Sequence, residues 1–120
     1  VGSEWSCHKI MKVFILEDSD SRIEWFKQHF PNADIAKTAK EAYIYLENEY
    51  DLIFLDHDLG GEILVDSNKD NTGYQVAKFI SNSINKNTET IIHTLNPCGA
   101  QNMKNALPHA RYIPYIMLKF

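Results

Sequence analysis

The chain reads as a three-layer α/β domain of flavodoxin-like topology, a five-stranded parallel sheet of order 2-1-3-4-5 that lacks the final helix. Three observations predict this. Short apolar runs, too brief for helices, recur at residues 12–16 (KVFIL), 52–55 (LIFL) and 90–93 (TIIH), and unbroken hydrophobicity marks strands covered on both faces. Segments with helical spacing separate these runs, so strands and helices alternate, which implies parallel pairing and right-handed crossovers. The runs also end in polar clusters, Glu17 with Asp18, Asp56 to Asp58, and His93 to Asn96. In such sheets ligands bind outside the carboxyl ends of the strands.

The elements follow in order. The strand at 12–16 stops at Glu17-Asp18-Ser19-Asp20. Ser19 or Asp20 caps a helix over 21–30, where Ile23, Trp25, Phe26 and Phe30 share a face, and Pro31-Asn32 ends it. Residues 34–36 form a weak second strand near an edge. Thr38 and Glu41 make a capping box before a helix that buries Ala39, Ala42, Tyr43 and Leu46. The strand at 52–55 is central. Residues 59–72 are the one long irregular connection, with an apolar island at 63–65. Loops of that length in compact domains are functional or mobile, so this one is read as a lid or recognition element. A helix over 73–84 turns Val76, Ala77, Phe79 and Ile80 inward. The fourth strand, 90–93, leads to a short helix at 100–107 closed by Pro108. A fifth strand spans 111–118, placed at an edge by Pro114.

The 120 residues suffice for one core without disulfides or structural metal. A net charge of −4 excludes a broad phosphate-backbone footprint, and with it extended nucleic acid. Cys7 and Cys98 form neither a disulfide framework nor a metal spacing and are read as reduced thiols of a cytoplasmic protein. No apolar stretch approaches a membrane span, so no membrane partner is expected. Residues 1–10 lack periodicity and precede Met11; they are read as a tag remnant or disordered arm, and 11–120 as the domain. His8, His29 and His109 take surface positions. Trp25, Phe26, Tyr43, Tyr45 and Phe79 follow helical spacing and belong to the core. Asp66, Asn68 and Asp70 alternate like calcium ligands, but the matching glycine and distal glutamate are missing.

Glu17-Asp18, the strand-ending Asp56 and Gly73 at the start of a helix resemble the response-regulator receiver domain, from Lys12 to about Phe120. That resemblance implies a Mg²⁺ site at Asp18 and Asp56, with Asp56 as phosphoacceptor. The chain departs from it in three places. His57-Asp58-Leu59 stands where a receiver has an apolar residue and Met-Pro. His93 ends the fourth run, ahead of Thr94. The Lys-Pro after the fifth strand is missing. Three further segments, FLDHDL (54–59), TGYQVAKFI (72–80) and IHTLNPCGAQNM (92–103), resemble the cyclic-phosphate processing receiver-like family of bacteria and phages. This implies binding and opening of 2′,3′-cyclic phosphate ends or cyclic nucleotides.

Opening a cyclic phosphodiester requires an activated water, neutralised phosphoryl oxygens and an acid for the leaving alkoxide. His57 and His93 are the candidate base and acid, provided both point into the crevice, with Asp56 beside them. Glu17, Asp18, Asp56 and Asp58 are the candidate metal ligands; an all-oxygen set suits Mg²⁺ or Mn²⁺, and Zn²⁺ less well. Thr72, Thr94, Asn96 and Gly99 are the candidate substrate contacts, with the amides of residues 98–100 forming an anion nest. The reading is a metal-dependent phosphoesterase-like domain acting on a phosphate-containing small molecule or RNA end. Two alternatives stand beside it, a divergent receiver phosphorylated on Asp56 and a non-catalytic sponge for cyclic nucleotides. The apolar run at 112–118 (YIPYIML), with no helix to cover it, predicts a homodimer through the fifth strand. Trp5 and Ile10 of the arm are the alternative cover.

Overall fold

The computed structural model describes residues 11–119; the reading of residues 1–10 concerns positions outside these. The elements are β1 (Val13–Leu16), α1 (Asp20–His29), β2 (Asp34–Ala36), α2 (Ala39–Tyr45), β3 (Leu52–Leu55), α3 (Gly73–Ser81), β4 (Glu89–Ile92), α4 (Pro97–Ala106) and β5 (Arg111–Tyr112). All strand pairs are parallel and the order is β2-β1-β3-β4-β5. Fold class and topology are therefore those the sequence predicts. Among the described residues no helix is long and apolar enough to cross a membrane.

The unbroken apolar runs have a simple cause. Successive strand residues point to opposite faces, and here both faces are covered. Phe14, Leu16, Ile53, Leu55 and Ile92 pack with Ala39, Ala42 and Leu46, Val76, Ala77 and Ile80, and Ala100 and Met103, the inward residues of the α2, α3 and α4 region. Val13, Ile15, Leu52, Phe54 and Ile91 pack with Phe26 of α1, together with Ile113, Tyr115 and Leu118. The chain after β5 thus lies on the α1 face.

Register then fixes the site. Leu16 pairs with Leu55, and Leu55 with Ile92. One residue beyond, the amide of Asp56 donates to Leu16 O (3.0 Å) and that of His93 to Leu55 O (2.9 Å). Glu17, Asp56 and His93 are consequently neighbours in a row across the ends of the three inner strands.

Three element boundaries differ from expectation by three residues or more, each for a local reason. The third helix ends at Ser81, not residue 84, because the buried Asn85 side chain draws the chain away. Asn85 donates to Leu46 O and Asn48 O and accepts from the amide of Tyr50. Helix α4 begins at Pro97 instead of residue 100, since Asn96 caps it and Pro97 occupies the first turn. The fifth strand is two residues long. Past it, Ile113 and Tyr115 still donate to Ile92 O and His93 O, but Pro114 has no amide to give and Tyr115–Met117 coil into a 3₁₀ turn.

Candidate functional site

The row at the strand ends is buried and polar. Glu17 and His93 are fully buried and Asp56 nearly so. One ligand-type atom from each lies within 4.8 Å of the others. His93 Nε2 is 2.8 Å from Glu17 Oε1. Among the described residues its Nδ1 has no partner, and Nε2 faces the carboxylate as the donor. The bare Nδ1 is the cheaper atom to leave unpaired, and the ring packs edge-on against Phe26. The other oxygen of Glu17, Oε2, accepts from the amides of Asp18 and Ser19, each at 3.1 Å.

These contacts push the two acids apart. Burial works against charge on Glu17, but the His93 hydrogen bond, the Ser19 amide and Arg22 outweigh it and hold Glu17 below the usual range. Arg22 Nη1 lies 4.0 Å from Glu17 Oε1 and its guanidinium is 4.7 Å from the centre of the Tyr115 ring. Asp56 goes the other way. Burial first, and the neighbouring Glu17 charge second, push its carboxyl up to about 8 against one hydrogen bond from the His57 amide. Two carboxyls this close do not both ionise without a cation.

Above the row opens a cleft of about 550 Å³ lined by Glu17, Asp18, Ser19, Arg22, Asp56, Asp58, Thr94, Asn96, Leu95 and residues 61–64. Thr94 Oγ1 accepts from the Asn96 amide at 3.1 Å, which leaves its own proton to donate. Asp18 Oδ2 accepts from the amide of Gly61 at 2.8 Å, so the loop after β3 is tied to the end of β1.

Asp58 anchors that loop from the other side. Its Oδ1 accepts from His57 Nδ1 (2.8 Å), Asn96 Nδ2 (3.0 Å) and the Val65 amide (3.2 Å), and Oδ2 from the Leu64 amide (2.7 Å). Burial opposes the charge, but these donors hold its carboxyl below the ordinary range. His57 is fully buried and uses both nitrogens, Nδ1 with Asp58 and Nε2 with Ser67 Oγ at 2.8 Å; the Ser67 hydroxyl oxygen in turn accepts from Asn102 Nδ2. Gly99 permits this packing, since a Cβ there would lie 2.4 Å from His57 Cγ. Gly73 likewise abuts the backbone of Asp56, where a Cβ would lie 1.8 Å from its carbonyl oxygen.

The sequence expectations sort accordingly. Glu17, Asp18, Asp56, Asp58, Thr94 and Asn96 do converge on one cleft. The condition set for the histidines is not met: His57 and His93 are both fully buried beneath the cleft and do not line it. Asn96 spends its side chain on Asp58 and on the Gly99 amide, at 3.0 Å each. The expected nest at residues 98–100 is thereby filled, because the Gly99 amide meets Asn96 Oδ1 and the Ala100 amide meets Asn96 O. Thr72 is fully buried, caps α3 and donates to Ser67 O and Lys69 O, away from the cleft. Arg22 and Ser19 were not read from the sequence as cleft residues, whereas residues 61–64 belong to the loop read as a lid or recognition element and Leu95 to the cluster at 93–96. Arg22 had one usable signal, a basic side chain in the first turn after the acidic pair.

A 2-1-3-4-5 sheet with acids after β1 and β3 and a threonine beyond β4 defines a receiver-type domain. The sequence profile of the cyclic-phosphate processing receiver domain matches residues 11–109, and the chain belongs to that family. No curated protein matches it. Among solved structures, it is similar to the phosphorylated cyanobacterial phytochrome response regulator RcpA (19% identity, TM-score 0.70, 88% of this chain and 81% of that one). A CheY-like response regulator receiver domain protein from Methanospirillum hungatei JF-1 is 22% identical, with TM-score 0.68 over 88% of this chain and 82% of its own. The Mn²⁺-bound form of the response regulator Rcp1 is 14% identical, with TM-score 0.64 over 87% and 80%. At these identities the likeness is one of fold.

Proposed function

We propose that the cleft captures a cyclic phosphate ester through a divalent cation held by Asp18, Asp56 and Glu17. The observation that carries this is the charge of the lining. Glu17, Asp18, Asp56, Asp58 and Glu62 face a single cationic side chain, Arg22. An anionic ester is repelled by such a surface unless a cation lies between them. The carboxylate oxygens of Glu17 and Asp56 fit a hard ion, with the His93 imidazole the third member of the same group, and Asp56 retains a proton near neutrality that a cation would displace. When bound, the ion supplies neutralisation of the phosphoryl oxygens.

The chain's own side chains complete the reading. Arg22 offers guanidinium donors to an oxygen that the cation leaves free, and the Thr94 hydroxyl offers another. His93 fixes the rotamer of Glu17, and His57 with Asp58 and Ser67 fixes the loop that closes one side. With both imidazoles below the cleft, the geometry supports capture more directly than turnover. The family's description, cyclic-phosphate processing, supports a cyclic phosphate as the ligand, and the Mn²⁺-bound neighbour supports a divalent cation. Phosphorus NMR tests the proposal. A 2′,3′-cyclic nucleotide should shift and broaden on adding protein with Mg²⁺ but not with EDTA, and a new monoester resonance would report ring opening. Accumulation of a stable phosphoryl group on Asp56 from acetyl phosphate, with no response to the cyclic nucleotide, would contradict it and favour a phosphorelay receiver.

A further inference from the structure

Arg22 brings a cation to the cleft without committing its donors. The nearest acceptor is already taken: Glu17 Oε1 faces His93 Nε2 at 2.8 Å, and Oε2 receives the amides of Asp18 and Ser19. Arg22 Nη1 stands 4.0 Å from Oε1, beyond hydrogen-bond length. Among the described residues no hydrogen bond leaves its guanidinium. A long side chain held only by charge has many rotamers, and fixing one costs entropy. Something else must aim it.

The ring of Tyr115 meets that need. The guanidinium carbon lies 4.7 Å from its centre, within the range of a cation–π contact. Attraction to a ring face uses none of the N–H donors, which stay available to a ligand. The ring is itself fixed from several sides. It meets Trp25 edge-on with centres 5.4 Å apart, and Phe26 at 6.1 Å. Arg22, Trp25 and Phe26 stand at i, i+3 and i+4 on α1, so one ring spans neighbouring side chains of one helix face. The backbone is anchored too, because the Tyr115 amide donates to His93 O at 2.8 Å. His93 is the residue whose imidazole holds Glu17. The turn after β5 is thereby tied to the same strand end as the acids.

We infer that Tyr115 is the positioning residue for Arg22, holding the guanidinium over the cleft with its donors free for the anion captured there. The inference rests on the proposed function and adds to it a residue outside the cleft lining. A ring that only fills the α1 face could be exchanged for another apolar side chain. One that serves as a platform for a cation needs its π face.

Calorimetric titration of adenosine 2′,3′-cyclic phosphate into protein saturated with Mn²⁺ tests this. The variants are Tyr115→Leu, Tyr115→Phe, Arg22→Gln and the double variant Arg22→Gln with Tyr115→Leu. Leucine keeps apolar contact with Trp25 and Phe26 but has no ring. Tyr115→Leu should lose about fivefold in affinity, while Tyr115→Phe stays within about twofold of wild type. Arg22→Gln should lose about tenfold or more, and Tyr115→Leu should cost nothing further in that background. Affinity for Mn²⁺ alone should hold in both Tyr115 variants. Wild-type affinity in Tyr115→Leu or in Arg22→Gln would overturn the inference. So would equal losses in the leucine and phenylalanine variants, a loss from Tyr115→Leu that persists without Arg22, or a parallel fall in Mn²⁺ affinity; each leaves cation-dependent capture intact. Failure of the wild type to bind the ester with Mn²⁺ would overturn capture itself, and the role of Tyr115 with it.

Discussion

Glu17 and Asp56 illustrate how two acids at adjacent strand ends acquire opposite characters. The donors around Glu17 keep it charged; burial and that charge keep Asp56 protonated to about pH 8. The consequence for stability has a definite sign. Asp56 holds a proton in the folded chain between the ordinary carboxyl value of 3.8 and about 8, where the unfolded chain has lost it. Its contribution is therefore complete below about pH 4 and disappears as pH rises through 8. Glu17 has the opposite linkage, lost only as pH falls below the ordinary glutamate value of 4.5, so the two windows separate. Metal-free protein in EDTA should lose on the order of a few kcal/mol between pH 5 and 9 by denaturant titration, and Asp56→Asn should flatten that slope. An unchanged slope in the variant would show that another group sets it. The residue identities at this site were legible because acids at the ends of buried strands are costly without a purpose. The histidines misled because strand position predicts proximity to the cleft, not the direction of a ring. Whether an imidazole enters the crevice depends on contacts with Glu17 and Ser67, the latter in a loop with no period to read.

At the level of elements, the loop after β3 and helix α4 behave as one unit, joined through Asn96, Asp58, His57, Ser67 and Asn102. Gly99 is the point of closest approach. Gly99→Ala should drive a methyl group into the His57 ring and cost about 1–3 kcal/mol in chemical denaturation. A neutral effect would mean the ring can retreat. Asp58→Ala should release Leu64 and Val65 and leave the His57 proton without its acceptor. The loop amides should then exchange hydrogen faster by mass spectrometry, while the sheet amides stay protected; uniform protection would deny Asp58 its anchoring role. Strand and helix existence was readable from apolar runs and spacing. The boundaries were not, because Asn85, Asn96 and Pro114 act through partners or a missing donor that no periodic pattern encodes. The fifth strand shows this most clearly: the apolar run at 112–118 (YIPYIML) suggested a long strand, yet its residues fill the α1 face through Ile113, Tyr115 and Leu118.

On the scale of the whole molecule, that segment leaves Tyr112, Ile116 and Met117 exposed at 40%, 73% and 63%. We propose that this patch joins two copies of the chain, for which light scattering should give twice the monomer mass, falling to one in Ile116→Glu. A monomer at micromolar concentration would leave the proposal without support. The central claim, however, is that a divalent cation takes the place of the Asp56 proton and so converts an acidic cleft into one that holds a phosphate. Calorimetric titration of the metal-free protein with Mn²⁺ at pH 7, repeated in buffers of different ionisation enthalpy, addresses it directly. The account predicts saturable binding with release of about one proton per ion, and loss of that proton release in Asp56→Asn. Binding that releases no proton in the wild type, or no binding at all, would contradict it.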